Sequence, residues 1–317
     1  MVGDARLRAR GRCDLPLPSE ERGIAAAVPI VKAGYPLYPA RSMLPPTFFF
    51  ADHALSARLE AADAALLAEL SLAIANHRPE SHAVALSIAG GCAAFVGPIP
   101  PSRAAGLGMR GPVTTSELDA LEDFYRSRGV PARILASPFA DPSLFEQLGA
   151  RGFRLVELDT MLVRRIEPGE TLPSTTGDIA VRAARPEEGS AWVRASFEGM
   201  FESPAPPPAD RLATFEAGFH APGITYFFAE AGGVTTGTGA THIHEGAADF
   251  FATSTLPASR NCGVQAALIV ARLAFAQAAG CDLCFSRTMA GSGSQRNLER
   301  CGFRPVYSRA TMIKRFG

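Results

Sequence analysis

Seven consecutive residues, Arg260, Asn261, Cys262, Gly263, Val264, Gln265 and Ala266, join an aromatic and β-branched run at 250–255 to an apolar run at helical spacing. A strand-to-helix turn of this kind aims several backbone N–H groups and the positive end of the helix dipole at one point. That is an anion site suited to phosphate. Gly263 matters there, because a side chain would hold a phosphate off the backbone. Arg260 reads either as a charge-assisted partner of the anion or as a solvated loop arginine. Asp249 opens the strand and, on strict alternation, shares a face with Phe251, Thr253 and Thr255. His242 and His244 share a face of the preceding strand. Cys281 and Cys284 have metal-like spacing, but no second such pair exists, and buried thiols are the plainer reading.

The elements that must hold these residues follow from periodicity. The spacing predicts helices over 51–77, 116–128, 142–150, 186–200, 211–220, 264–279 and 295–301. It predicts strands over 83–88, 92–96, 104–109, 134–136, 153–164, 179–183, 226–230, 234–242, 250–255 and 283–287, with one or two more in 303–313. Residues 1–22 read as a flexible tail, with a Pro-, Gly- and Arg-rich lead-in to about 45. Residues 167–178 have linker composition, and 202–210 form a stiff, Pro-rich loop. The division is therefore a first unit at 23–166 and a second at 179–317.

The two units share a pattern. Leu148, Gly152, Phe153, Arg154, Val156 and Arg165 recur 150 residues on as Leu298, Gly302, Phe303, Arg304, Val306 and Arg315. This reads either as an internal duplication or as two short helix-turn-strand units that are alike by chance. In the first unit the equivalent turn is Gly108-Met109-Arg110-Gly111-Pro112-Val113, where Pro112 lacks an N–H.

Composition narrows the function. With 31 basic and 31 acidic residues, nothing suggests a nucleic-acid partner. No apolar run is long enough to span a membrane, and the N-terminus lacks the apolar stretch of a signal peptide. Six scattered cysteines point to reduced thiols and a cytoplasmic protein.

The hexad 260–265 resembles the acetyl-CoA signature of the GNAT superfamily of N-acetyltransferases, R/Q-x-x-G-x-G/A. Arg260 and Gly263 match it, Thr255-Leu256-Pro257 is the typical lead-in, and Gln265 replaces the usual Gly or Ala. The resemblance covers 179–317 well and 48–165 weakly. It implies an α/β (α+β) fold of two GNAT-like units, each a mixed, mostly antiparallel sheet flanked by helices, of the tandem type. It implies acetyl-CoA as cosubstrate, with the pantetheine arm along Thr253, Ser254 and Thr255 and the pyrophosphate on the N–H groups of Asn261, Cys262, Gly263, Val264, Gln265 and Ala266. No metal is expected. The family's base maps to Asp249, eleven residues before Arg260, which reads either as that base or as an exposed strand-end carboxylate. His242 and His244 are rivals. The family's tyrosine acid maps to Leu298 and is absent; Tyr307, or Tyr226, stands as a substitute. Asn297 reads either as a contact of the cofactor arm or as a helix-surface residue. Phe201, Phe215 and Phe219 read either as walls of the acceptor pocket or as core. The expected function is transfer of an acetyl group to an amine of a small molecule or peptide, by direct attack in a ternary complex. The alternative is an acyl-CoA-binding sensor or scaffold without turnover. The first unit is expected to be a degenerate copy without cofactor.

Overall fold

In a computed structural model of the protein, residues 50–97, 102–167, 169–172, 178–201 and 207–317 are described. The tail 1–22 and its lead-in, part of the 167–178 linker and the first part of the Pro-rich loop lie outside the described residues.

The chain begins with helix α1 (His53–His77), whose first turn is closed by the Asp52 side chain accepting from the Leu55 N–H at 2.8 Å. A hairpin follows, β1 (Val84–Ile88) and β2 (Gly91–Phe95), then the short β3 (Arg103–Ala105). The expected strand over 104–109 stops at Ala105. Beyond it, the chain turns through Gly106 and Gly108, and Gly108 bonds Ala89 and Asp141. Next come α2 (Thr115–Arg126), β4 (Ala132–Ala136), α3 (Pro142–Ala150) and β5 (Arg154–Arg165). The second half repeats this theme with β6 (Ile179–Ala183), α4 (Gly189–Met200), α5 (Ala209–Gly218), β7 (Ile224–Ala231), β8 (Val234–His244) and β9 (Ala247–Thr255). It closes with α6 (Val264–Ala278), β10 (Leu283–Met289), α7 (Gly293–Arg300) and a single last strand, β11 (Arg304–Lys314).

All eleven strands form one sheet, in the order β1-β2-β3-β4-β11-β5-β10-β9-β8-β7-β6. Pairing is antiparallel except between β3 and β4 and between β9 and β10. The halves exchange their last strands. β5 sits between β10 and β11, and β11 sits between β4 and β5. The central β5–β11 pair carries two bulges, one at Val306 and one at Val156, again 150 residues apart, with the pair Arg309 and Asp159 midway. The helix ends that precede these strands also match. Phe153 N–H bonds Leu148 at 3.0 Å with Gly152 at φ +78°, and Phe303 N–H bonds Leu298 at 3.1 Å with Gly302 at φ +91°.

Helices α2, α3, α6 and α7 cover one face of the sheet. Phe153, Leu144 and Leu118 pack there on Ile134, and Leu298, Phe303 and Ile269 pack on Phe250. Helices α1, α4 and α5 cover the other face. Helix α1 crosses from β2 and β3 of the first half to β8 and β9 of the second. Its core-facing stripe includes Leu59, Leu66 and Leu67, but also the fully buried Ser56, Glu60 and Asp63. Among the described residues no helix is long and apolar enough to cross a membrane.

Candidate functional site

Strands β9 and β10 pair only at Ala247, Ala248 and Asp249, opposite Leu283, Cys284 and Phe285. Both continue beyond, so they splay, and the β10-facing edge of β9 from Phe251 to Thr255 has no strand partner. The Ser286 hydroxyl donates to the Phe250 carbonyl at 2.7 Å and closes the narrow end. Helix α6 starts beside the open end. Its N-cap is Gly263 at φ +85°, with no side chain capping the helix. The first N–H groups of a helix have no partner inside it, so those of Val264, Gln265 and Ala266 remain available. Ala267 is the first to close on a backbone carbonyl, that of Gly263, at 3.0 Å. Arg260, Asn261, Cys262 and Gly263 are exposed, and Asn261 also takes a left-handed conformation at φ 64°. A Cβ built on Gly263 would meet nothing, so the glycine serves the turn and leaves open space over the helix start. Asn297 of α7 donates to the Gln265 Oε1 at 2.8 Å, and Gln265 donates to Ser294 at 2.9 Å. Gln265 thus ties α6 to α7, where a Gly or Ala could not.

A bulge changes which residues of β9 share a face. Phe251 pairs with Ala240 and Ser254 with Thr238, so Ala252 and Thr253 together oppose Gly239, with Ala252 at φ 46°. Alternation is shifted by one residue there. Asp249 and Phe251 share their face with Ser254, not with Thr253 and Thr255. The Ser254 hydroxyl shares a 2.8 Å hydrogen bond with Thr238 and sits against α4, where a Cβ on Gly199 would lie 2.7 Å from it. Thr255 turns to the α6 face.

Asp249 is not an exposed strand-end carboxylate: it is 0% exposed. Its Oδ2 accepts from Arg287 at 3.1 Å, and Arg287 also binds Asp63 of α1 at 3.2 Å. Asp63 in turn pairs with Arg309, which lies 3.6 Å from Glu60. Burial pushes the Asp249 carboxyl up; the Arg287 guanidinium opposes this but does not cancel it. Burial also raises Asp63, yet Arg287 and Arg309 outweigh it and hold that carboxyl well below the usual range. Burial keeps Glu60 raised. His242, directly across from Asp249 on β8, is also 0% exposed, so it is not a surface histidine. Its Nε2 lies 3.3 Å from the Glu69 Oε1 of α1, and the His244 ring stacks 6.2 Å away. Asp249 Oδ1 and both His242 nitrogens are buried without a hydrogen-bond partner.

Tyr307 meets this network only at its far end, away from Asp249. It lies on β11, separated from β10 by β5, and its hydroxyl donates to Glu60 at 3.2 Å. Burial, reinforced by Glu60, pushes the phenol up, so it holds its proton. Tyr226 bonds the Gly218 carbonyl within the α4–α5 core. Leu298, at the position of the absent tyrosine, is core against Phe303 and Phe250. Of the three phenylalanines, Phe219 is core, Phe215 packs on that core, and Phe201 is exposed. Cys281 and Cys284 are buried free thiols. Among the described residues no group of three or more His, Cys, Asp or Glu gathers to hold a metal.

The sequence reading missed Glu60, Asp63, Glu69, Arg287 and Arg309. A signal existed for α1: Ser56, Glu60 and Asp63 fall in phase with Leu59, Leu66 and Leu67 on one helix face, where polar residues are rare.

The first half treats the same location differently. Helix α2 is closed by a capping box. Thr114 accepts from Glu117 N–H at 3.2 Å, and the Glu117 carboxylate accepts from Thr114 N–H at 2.8 Å. The Thr114 N–H and hydroxyl hold that carboxylate below its usual range. This helix start carries its own anion.

No protein-family model matches the chain, and no curated protein matches it. Solved structures do. A GCN5-related N-acetyltransferase from Kribbella flavida superposes with TM-score 0.57 at 19% identity, over 83% of this chain and 96% of that one. A GCN5-related N-acetyltransferase from Sphaerobacter thermophilus gives 0.51 at 14% identity, over 86% and 98%. A tandem GNAT protein from the clavulanic acid biosynthesis pathway gives 0.52 at 14% identity, over 84% and 96%. The fold is that of the GCN5-related N-acetyltransferases, and one of these neighbours is a tandem protein of that kind.

Proposed function

We propose that the protein is an acetyl-CoA-dependent N-acetyltransferase whose second half holds the cosubstrate. The observation that carries this is the uncapped start of α6, behind the Gly263 turn, beside an unpaired strand edge. The N–H groups of 261–266 would hold the pyrophosphate, with Arg260 beside them. The free edge of β9 would bond the pantetheine arm, and Asn297 with Gln265 would border it. Acetyl-CoA, when bound, supplies the activated acyl group. Asp249 takes a proton from the acceptor's ammonium, directly or through a water, and its raised affinity for protons suits that task. The neutral amine then attacks. Neither Tyr307 nor Tyr226 stands at the splayed strands to replace the missing tyrosine, so in this reading the leaving sulfur takes its proton from the amine or from water.

The two halves are proposed to be copies of one ancestral unit. The matching bulges and helix ends support this. The first half is proposed to hold no cofactor, because Glu117 already occupies the start of α2. The acceptor is an amine of a small molecule or peptide, and the free thiols fit a cytoplasmic setting. The rival reading, an acyl-CoA sensor without turnover, draws on the buried Leu298 and on the enclosure of Asp249. Equilibrium binding of acetyl-CoA, followed by thiol release with amine panels, separates the two. Binding without release for any amine favours the sensor; no binding ends both.

A further inference from the structure

We infer that Glu69 and His242 carry away the proton that Asp249 takes from the acceptor, so that the long helix of the first half completes the chemistry of the second. The inference rests on the transferase reading above. Asp249 is fully buried, and its Oδ2 is committed to Arg287. A proton it accepts therefore has no direct exit to bulk water. Its cross-strand partner is His242, equally buried. The remaining Asp249 oxygen, Oδ1, and the His242 Nδ1 both lack a partner. Groups of this kind are satisfied by an ordered water, and one water between the two side chains would serve both.

From His242 the path continues to Glu69. The Glu69 Oε1 lies 3.3 Å from the His242 Nε2, within ion-pair reach though not aligned as a hydrogen bond, and the Glu69 side chain is 32% exposed although its Oε2 is buried. Room is made for this contact. A Cβ on Gly223 would lie 2.1 Å from a Glu69 carboxylate oxygen and 3.1 Å from the His242 ring. The other acids of α1 are spoken for: Asp63 binds Arg287 and Arg309, and Glu60 lies beside Arg309 and Tyr307. The charged and titratable groups around His242 are thus Glu69 from α1, Asp249 from β9 and His244 on its own strand.

The protons balance. An acceptor ammonium loses two. The first goes to Asp249, then to His242 as imidazolium, then to Glu69 and solvent. The amine nitrogen bonds the acyl carbon as the carbon–sulfur bond breaks, and the second proton leaves with the sulfur as a thiol. Glu69 and His242 act through Asp249 and are positioning and relay residues.

The test uses the full chain with acetyl-CoA and two small acceptors at high concentration, with the uncatalysed rate subtracted. Ethanolamine is an ammonium at neutral pH, whereas hydroxylamine is largely neutral. Glu69→Gln keeps the shape but cannot carry the proton. It is expected to slow transfer to ethanolamine by about 10–100-fold, within the usual range for acid–base steps. Transfer to hydroxylamine and the affinity for acetyl-CoA should be unchanged, and the loss should fade as pH rises and ethanolamine deprotonates. His242→Gln should behave alike. A Glu69→Gln enzyme that matches wild type on both acceptors overturns the relay alone. A wild type that does not bind acetyl-CoA, or binds it and acylates neither acceptor, overturns the relay with the transferase reading. Proton NMR gives a readout without turnover: a downfield His242 ring N–H, lost in Glu69→Leu, supports the contact, and its absence from wild type overturns it.

Discussion

At Asp249, burial and pairing pull in opposite directions, and burial wins. The consequence for pH is definite. In the proposed role the carboxylate is the form that accepts the proton, and its pKa is raised, so activity should fall as pH drops through a value above the ordinary carboxylate range. Asp249→Asn should remove that acid limb and lower kcat by about 10²–10⁴-fold, the usual worth of a general base, while leaving acetyl-CoA affinity near wild type. A pH–rate profile that keeps its acid limb in the variant would place the base elsewhere. At Gly263 the logic is steric freedom and charge. A Cβ there meets no protein atom within 4 Å, but φ +85° strains any L side chain, so Gly263→Ala serves as the control that separates backbone strain from charge. Gly263→Asp would put a negative charge over the helix start. It should weaken acetyl-CoA binding at least about tenfold, or about 1.4 kcal/mol, by titration calorimetry. A folded variant with parental affinity would remove this turn from the site.

Among the elements, α1 has the most unusual composition for its position. A helix that spans both halves would ordinarily bury aliphatic residues, yet Glu60 and Asp63 sit on its core face. They are tolerable there because Arg287 and Arg309 reach them from β10 and β11. Such pairs contribute little relative to an apolar core, but removing one partner leaves a buried charge. Arg309→Met should therefore cost about 3–5 kcal/mol in urea unfolding. If Arg309→Met and wild type share a midpoint, the network is not holding α1 to the sheet. The start of α6 makes the opposite choice from that of α2. Thr114 and Glu117 finish one helix from within, and the Gly263 turn leaves the other unfinished.

For the whole molecule this difference sets a number. Titration of the full chain should give one acetyl-CoA per chain, and a stoichiometry near two would show that the first half binds as well. The strand exchange sets another expectation. A fragment of residues 178–317 lacks β5, which lies between its own β10 and β11, and lacks α1 over its buried charges. Open edges and orphaned arginines should keep it from forming a stable monomer. Size exclusion and circular dichroism should show aggregation of the fragment alone. Co-expression with residues 49–166 should restore a soluble, one-to-one complex. A soluble, cooperatively unfolding 178–317 fragment would show that the exchanged strand is dispensable.

Much of this was legible along the chain. Apolar periodicity located nearly every helix and strand. The Asp52 cap and the Pro142 helix start needed only local chemistry. The turn at 260–266 was visible because a glycine between a strand and a helix is a local backbone requirement. The pattern shared at 150-residue spacing was also visible, because both helix-turn-strand units end their helix and begin their strand in the same way. Only the tertiary structure decided three things. The bulge at Ala252 and Thr253 reassigned the faces of β9, because bulges arise from pairing with β8 and not from composition. The exchange of β5 and β11 made one sheet of two, since strand order is a non-local choice between partners of similar pattern. And the charges of α1 met those of β8, β10 and β11 across more than 170 residues of chain, as Glu69 does with His242, a juxtaposition that no spacing within one element encodes.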